Sequence, residues 1–293
     1  MIGTREGGFP RSLTSLTHLF LRTITAINKL SYNGISQQKV IMKSEFIRAK
    51  RVVLLALTFL FINVRYSSSQ TFCTGSDSNQ ISGIKDGYRY ELWNQHSLGT
   101  ACMTIGNEML FSGKWICVEN YLARRGLAYD QTRKHDEIGD FFAEYKCNYK
   151  PSDSSGNSYL AVYGWTVDPL IEYYIVEDWC RWNPSMAANS VLKGSININE
   201  SVYDIYETTR ENQPSIIGDT NFKQYFSIRR YKRDSGKINI SDHFKKWESL
   251  GMNLGKMHEV SFVVEGYKSS GYFNFSDLTI KTVNYLPGKS NNK

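Results

Sequence analysis

Two glutamates stand inside strongly apolar and aromatic segments of the chain. Glu172 lies within Pro169-Leu-Ile-Glu-Tyr-Tyr-Ile-Val176, and Glu265 follows Phe262-Val-Val264 and precedes Gly266-Tyr267. A carboxylate among such neighbours costs free energy unless its face of the strand is polar or functional. Two carboxylates can divide the roles of nucleophile, acid and base within one reaction. The alternative is that both are ordinary glutamates on solvent-facing sides of strands.

The elements that must position these glutamates are predicted to be β-strands. In the segment that carries Glu172, strand alternation puts Glu172 and Tyr174 on one face, and it puts Ile171, Tyr173 and Ile175 on the other. Similar aromatic or alternating runs are separated by Gly, Pro, Asn and Ser turns, and they cover residues 88–93, 101–104, 141–149, 158–165, 170–176, 204–206, 224–229, 260–267 and 271–275.

One segment, residues 241–251, has helical periodicity instead. Phe244, Trp247 and Leu250 fall on one helical face, with Ser241 as the predicted N-cap and Gly251 as the predicted stop. Many strands with one helix predict an all-β sandwich or barrel.

The aromatic content favours a partner that offers both apolar faces and hydroxyl groups. The chain holds 19 Tyr, 15 Phe and 6 Trp, which is 14% of its residues. A sugar fits such a surface, because its C–H groups stack on rings while its hydroxyls form hydrogen bonds. Composition alone leaves open a tyrosine-rich β-protein without such a partner.

The net charge of +7 does not indicate nucleic acid or an anionic membrane as a partner. Residues 1–70 hold ten Lys/Arg and two Asp/Glu, whereas residues 71–293 hold 25 and 26. The basic excess therefore belongs to the N-terminal part, and the rest of the chain is nearly neutral.

Residues 42–70 have the order of a secretory signal peptide. Basic residues from Lys43 to Arg51 precede an apolar run over 52–64, and small polar residues follow at 67–70. The apolar run is short for a membrane span, so a signal anchor is the second choice. Residues 1–41 are predicted to be an unstructured upstream extension. We therefore expect a secreted, extracellular, monomeric protein that has no membrane segment after cleavage.

Five cysteines follow the predicted leader, and export would favour disulfides among them. The odd number leaves at least one thiol free or paired with another chain. Cys102 and Cys117 flank a predicted turn at Gly106-Asn107 and are one candidate pair. The scattered histidines and cysteines show no spacing typical of a metal site.

Five motifs, in order, resemble glycoside hydrolase family 11 endo-β-1,4-xylanases. Tyr163-Gly-Trp-Thr-Val-Asp-Pro-Leu-Ile-Glu-Tyr-Tyr-Ile-Val-Glu177 is similar to the nucleophile segment, and Val264-Glu-Gly-Tyr-Lys-Ser-Ser-Gly271 is similar to the acid/base strand. The segment 203–218 resembles the thumb hairpin of the family. Residues 222–229 and 250–255 also match. The resemblance covers roughly residues 85–282, which become the predicted catalytic domain, with tails at 71–84 and 283–293.

The resemblance implies both a fold and a reaction. The fold would be a β-jelly-roll sandwich of two curved antiparallel sheets, with one α-helix and the thumb over a long cleft. The reaction would be endo-acting hydrolysis of xylan with retention of configuration, without metal or cofactor. Glu172 would be the nucleophile and Glu265 the general acid/base. The matched positions also imply substrate-binding roles for Trp93, Asn120, Tyr159, Tyr163, Tyr174, Arg210, Pro214, Ser215, Ile216 and Gln224.

Three positions depart from the family pattern. Phe226 stands where tryptophan is common, and Val167 stands where a polar or basic residue is usual. Glu259 falls where a substrate-binding tyrosine is expected, six residues before Glu265. These departures affect the expected affinity more than the chemistry. Two other functions remain open: a xylan-binding protein without turnover, and a β-glucanase of a related jelly roll.

Overall fold

The structure is a computed structural model, and it describes residues 69–75, 78–152 and 156–283. These residues form two α-helices, α1 (His135–Ile138) and α2 (Ile240–Ser249), and a 3-10 turn at Pro184–Met186. They also form fifteen strands: β1 (Gln70–Thr74), β2 (Gln80–Lys85), β3 (Tyr88–Gln95), β4 (Thr100–Ile105), β5 (Phe111–Ile116), β6 (Asn120–Ala128), β7 (Asp140–Pro151), β8 (Asn157–Val167), β9 (Ile171–Cys180), β10 (Val191–Ile198), β11 (Ser201–Gln213), β12 (Thr220–Arg229), β13 (Ser235–Asn239), β14 (Lys256–Tyr267) and β15 (Gly271–Val283).

Several predicted segments fall wholly or mostly outside the described residues. The upstream extension over 1–41 lies outside them, as does the signal peptide over 42–70 except for its last two residues. Residues 71–84, predicted to be a tail, instead contribute most of β1 and β2. In the part of the chain that is described, no helix is long and apolar enough to cross a membrane.

The strands form two packed sheets, which confirms the predicted all-β jelly-roll sandwich. The six-stranded sheet has the order β1-β4-β5-β15-β7-β13, and the nine-stranded sheet has the order β10-β11-β12-β9-β8-β14-β6-β3-β2. Their inner faces meet in an aromatic core. Phe262 of β14, for example, packs against Tyr145 of β7 and Phe275 of β15. The other face of the nine-stranded sheet is free to form a cleft.

The alternation predicted around Glu172 is present in β9. Ile171, Tyr173 and Ile175 belong to the core between the sheets, whereas Tyr174 belongs to a separate apolar cluster on the opposite face. Glu172 lies on that opposite face with Tyr174. The period of two therefore places the carboxylate outside the main core.

One strand pair departs from the antiparallel pattern that the family resemblance implied. β12 runs parallel to β9, with Gln224 opposite Glu172 and Phe226 opposite Tyr174. The antiparallel hairpin of β11 and β12 forms the predicted thumb, whose tip lies between Gln213 and Thr220. A parallel neighbour requires a long connection, and here β10 and β11 supply it.

The N-cap of helix α2 lies two residues before the predicted one. Asn239 is the N-cap, and its side chain accepts a hydrogen bond from the backbone N–H of Asp242. Ser241 lies inside the helix, and its Oγ accepts from the backbone N–H of Phe141 instead. The predicted stop is present, since Gly251 has a φ of 77°. Phe244 packs in the core against Phe141 of β7 and Tyr173 of β9, so α2 links the six-stranded sheet to the sheet that carries the cleft.

The candidate pair Cys102 and Cys117 is wrong. Cys102 forms a disulfide with Cys73, which lies directly opposite in the antiparallel pair of β1 and β4. Cys117 follows β5 and is an exposed thiol. The bridge therefore ties the first described strand to its sheet.

Candidate active site

All twelve predicted site residues line a single cleft of about 900 Å³ on the nine-stranded sheet. The strands β3, β6, β8, β9, β12 and β14 supply its floor, and the β11–β12 hairpin supplies one wall. The residues brought together are Trp93, Asn120, Tyr159, Tyr163, Glu172, Tyr174, Arg210, Pro214, Ser215, Ile216, Gln224 and Glu265.

The Glu172 carboxylate accepts three hydrogen bonds from the cleft floor. Tyr163 Oη and Tyr174 Oη donate to its Oε1 at 2.9 and 3.0 Å. Gln224 Nε2 donates to its Oε2 at 2.6 Å. Burial raises the pKa of Glu172, while these three donors and the charge of Arg210 oppose that rise. A carboxylate with three donors is stabilised in its ionised form.

Gln224 is oriented by the neighbouring strand. Its Oε1 accepts a hydrogen bond from Thr208 Oγ1 at 2.9 Å, which leaves the amide NH₂ group to face Glu172. The strand register puts Thr208 of β11, Gln224 of β12 and Glu172 of β9 side by side. The sequence alone did not single out Thr208.

Glu265 lies in an environment that favours its protonated form. Burial and the nearby charge of Glu172 raise its pKa from 4.5 to about 7, and hydrogen bonds from Tyr159 and Tyr174 partly oppose this rise. Glu265 is opposite Tyr159 in β8 and opposite Leu122 in β6. The two glutamates therefore have unlike environments: Glu172 has three hydrogen-bond donors that favour its ionised form, whereas burial and the charge of Glu172 favour the protonated form of Glu265.

One tyrosine hydroxyl contacts both carboxylates. Tyr174 Oη lies 3.0 Å from Glu172 Oε1 and 3.2 Å from Glu265 Oε2. The two oxygens cannot be further apart than the sum of these distances. Both carboxylates therefore face the same point of the cleft, which suits the separation of roughly 5 Å between the two carboxyl groups of retaining glycosidases.

Asn120 lies on the cleft face of β6, next to the strand that carries Glu265. Asn120 is opposite Tyr267 in β14, two residues along from the Glu265 position. Its Oδ1 is buried and has no hydrogen-bond partner among the described residues. An unpartnered acceptor at this place can accept a hydrogen bond from protonated Glu265 or from a sugar hydroxyl.

The thumb brings its tip and Arg210 to the cleft. Arg210 Nη2 donates to Gln213 Oε1 at 3.1 Å, at the base of the tip. Ser215 Oγ accepts from the backbone N–H of Ile217 at 3.1 Å, which stabilises the tip turn. Ile216 is half-buried against the aromatic cluster of the cleft. The tip is therefore an ordered wall that can press on a bound chain.

Glu259, one of the three departures from the family pattern, does not lie at the substrate-binding position where the sequence placed it. Glu259 is buried, with only 1% of its surface exposed, and it does not line the cleft. His258 lines the cleft instead, because the register of β14 shifts between Met257 and Glu259. A bulge of this kind turns a different side chain toward the cleft. Phe226 stacks on Tyr174 at 5.1 Å and closes the cluster beside Glu172.

Several cleft residues were missed by sequence reasoning. Trp165 and Trp182 line the cleft, and the spacing of aromatic residues in 163–182 is their only sequence signal. Glu91 and Arg124 lie on its floor at 6% and 5% exposure. Nothing in the sequence distinguishes these buried charges from solvated ones.

The fold, and a cleft that holds two carboxylates, are those of a glycoside hydrolase. Comparison with known proteins agrees: the family described as Glycosyl hydrolases family 11 matches residues 85–276. The chain belongs to this family, as its motifs predicted.

Individual xylanases are also similar to this chain in sequence and in structure. An endo-1,4-beta-xylanase A of Bacillus pumilus is 49% identical over 197 residues, covering 67% of this chain and 82% of the relative. An endo-1,4-beta-xylanase A of Thermoclostridium stercorarium is 48% identical over 192 residues, or 66% of this chain and 28% of the relative. The chain thus matches a minor part of some relatives. The family 11 xylanase structure from Neocallimastix patriciarum is 37% identical with a TM-score of 0.67, covering 73% of this chain and all of that one.

Proposed function

We propose that the domain over residues 85–282 is an endo-β-1,4-xylanase that retains the configuration of the anomeric carbon. The observation that carries the proposal is the pair of glutamates in unlike environments around one tyrosine hydroxyl. The names of the relatives support xylan as the substrate.

The first step uses the ionised state of Glu172. A Glu172 oxygen attacks the anomeric carbon, and the bond from that carbon to the leaving oxygen breaks. Glu265 gives its proton to the leaving oxygen, so the released chain carries a hydroxyl. The protonated state of Glu265 at the start is the one that its raised pKa favours.

The second step reverses the role of Glu265. The ester formed at Glu172 carries no charge, so one cause of the raised Glu265 pKa is lost. Ionised Glu265 then takes a proton from water, and the water oxygen attacks the anomeric carbon. Glu172 leaves as a carboxylate, and two inversions give net retention.

The remaining cleft residues are proposed to bind the xylan chain. Trp93 offers a ring for sugar stacking, and Tyr159 and Asn120 offer polar groups beside Glu265. Pro214 and Ile216 of the thumb tip press on the chain from above. An open cleft rather than a closed pocket suits attack within a polymer.

The test compares sugar release from xylan and from carboxymethyl cellulose. We expect reducing ends from xylan with the wild-type protein, and a loss of several orders of magnitude in Glu172→Gln with the fold unchanged. The configuration of the first product is read by proton NMR. Release from cellulose alone, or an inverted product, would contradict the proposal, and binding without release would favour the xylan-binding alternative.

We also propose that the protein is exported and acts as an extracellular monomer. The basic, apolar and small residues over 42–70 support a cleaved signal peptide, and the disulfide between Cys73 and Cys102 suits an oxidising compartment. N-terminal sequencing of secreted material should begin within a few residues of Thr71. Secreted protein that still begins at Met1 would disprove the cleavage, and size-exclusion chromatography tests the monomer.

A further inference from the structure

Three charged side chains form a buried cluster beside the proposed catalytic centre, two of them in the cleft floor and one, Glu259, beneath it. Arg124 Nη2 lies 2.8 Å from Glu91 Oε2, and Arg124 Nη1 lies 2.9 Å from Glu259 Oε1. The side chains of Glu91, Arg124 and Glu259 are 9%, 7% and 1% exposed. We call these three residues the charged cluster. Arg89 lies at its edge, 3.6 Å from Glu91.

Stability alone does not explain the charged cluster. Desolvating three charges is costly, and well-packed apolar side chains commonly serve a core as well or better. Apolar residues occupy comparable places on the same side of the sheet: Leu122 on β6, and Val263, which is opposite Arg124 in β14. The charged cluster is therefore expected to have a functional role in the site.

Arg124 is linked to the nucleophile through one aromatic ring. Its guanidinium carbon lies 5.1 Å from the centroid of the Tyr163 ring. The hydroxyl of Tyr163 donates to Glu172 Oε1 at 2.9 Å. A cation on a ring face draws electron density from the phenol, which makes its hydroxyl a stronger donor. A guanidinium also stays charged over the whole working range of pH.

On the basis of the proposed function, we infer that Arg124 is a positioning residue for Glu172 that acts through Tyr163, with Glu91 and Glu259 holding the guanidinium in place. Arg124 orients the Tyr163 ring and strengthens its bond to the carboxylate. Glu259 opposes part of this effect, because its own negative charge disfavours a second charge at Glu172.

The charges around Glu172 and around the charged cluster determine in which direction each variant shifts the pKa of Glu172. Besides Arg124 and Glu259, the groups that face Glu172 or couple to it are Tyr159, Tyr163, Tyr174, Arg210, Gln224 and Glu265. Around the cluster lie Arg89, His258 and Tyr163. Burial and the charges of Arg89 and Arg124 lower the pKa of His258 to about 4, so His258 stays neutral above that pH. The variants described below leave all of these groups in place.

Removing the charge of Arg124 should move the acid limb of activity to higher pH. A weaker Tyr163 bond raises the pKa of Glu172, which must be ionised to attack. Removing the charge of Glu259 should move the acid limb the other way, to lower pH. Mere loosening of the site would not produce shifts of opposite sign.

The test measures kcat and KM on xylan against pH, and titrates Glu172 by NMR of ¹³C-carboxyl glutamate. For Arg124→Met we expect the acid limb of activity and the pKa of Glu172 to rise by about half a pH unit. We also expect kcat to fall about fivefold, with KM little changed. Arg124→Lys keeps the charge, so its acid limb should lie at the same pH as that of the wild type. Arg230→Gln, which removes a surface arginine paired with Asp204, is the control and should not shift it.

A second comparison remains decisive where Arg124→Met fails to fold. The double variant Glu91→Gln/Glu259→Gln and the triple variant that adds Arg124→Met leave no buried carboxylate unpaired and differ only at Arg124. We expect the acid limb of the triple variant to lie at higher pH than that of the double variant, and its Glu172 to have the higher pKa. Equal values in the double and triple variants would overturn the role of Arg124. The NMR titration gives this answer even if the protein released nothing from xylan, which would instead refute the proposed function.

Discussion

Replacing Glu172 by glutamine should lower the pKa of Glu265 while leaving it above its ordinary value. The pKa of Glu265 is raised from 4.5 to about 7, with burial as the larger cause and the charge of Glu172 as the next. A unit charge about 5.5 Å away contributes at most about 3 kcal/mol at an effective dielectric constant of about 20, which equals about 2 pH units. Because burial remains, we expect a fall of about 1 to 2 units.

The pKa of Glu265 can be followed by ¹³C NMR of carboxyl-labelled glutamate in wild-type protein and in Glu172→Gln. Glu207→Gln is a matched control, since Glu207 is one residue along from Thr208 and faces away from the cleft. In the wild type, kcat/KM should fall as the pH rises through about 7, because Glu265, the proposed general acid, must be protonated at the start. A Glu265 pKa that is unchanged in Glu172→Gln would refute the electrostatic coupling.

Three further changes have defined outcomes. Asn120→Asp should move the pH optimum toward acid by about one unit, because the new carboxyl shares a proton with Glu265; a superimposable profile would contradict this. Thr208→Val should lower kcat/KM about fivefold by freeing the Gln224 amide, with Thr208→Ser as the control; wild-type activity would show that the bond is not needed. Cys73→Ser should lower the free energy of unfolding by about 3 to 4 kcal/mol, measured by urea denaturation under oxidising conditions, because the bridge closes a loop of 29 residues; an unchanged midpoint would exclude a stabilising role.

Strands with aromatic or alternating runs could be predicted from the sequence, whereas polar strands could not. The segments that became β3, β8, β9 and β14 carry enough apolar residues on one face to show the period of two. β6 hides this period, because Arg124 and Arg125 are both buried in it. Buried arginines depend on partners from distant strands, and a single sequence does not contain that information.

Pairing between elements was the second limit of the sequence. The candidate bridge at Cys102 relied on neighbours along the chain, whereas its partner Cys73 lies opposite in space. The parallel contact of β9 with β12 has no signal in either strand, although it delivers Gln224 to Glu172. The bulge that exchanges Glu259 for His258 is a local register shift, and counting residues from Glu265 does not show it.

The parallel contact between β9 and β12 also makes the position of the thumb and the ionisation of Glu172 mechanically dependent on each other. β12 is the returning arm of the thumb, and the same strand carries the amide that donates to Glu172. Any displacement of the thumb that separates β12 from β9 breaks this bond and makes the ionised carboxylate less favourable. If Glu172 is the nucleophile, as proposed, cleavage requires the thumb strand to stay paired with β9, and a thumb that moves away would leave the carboxylate with one donor fewer.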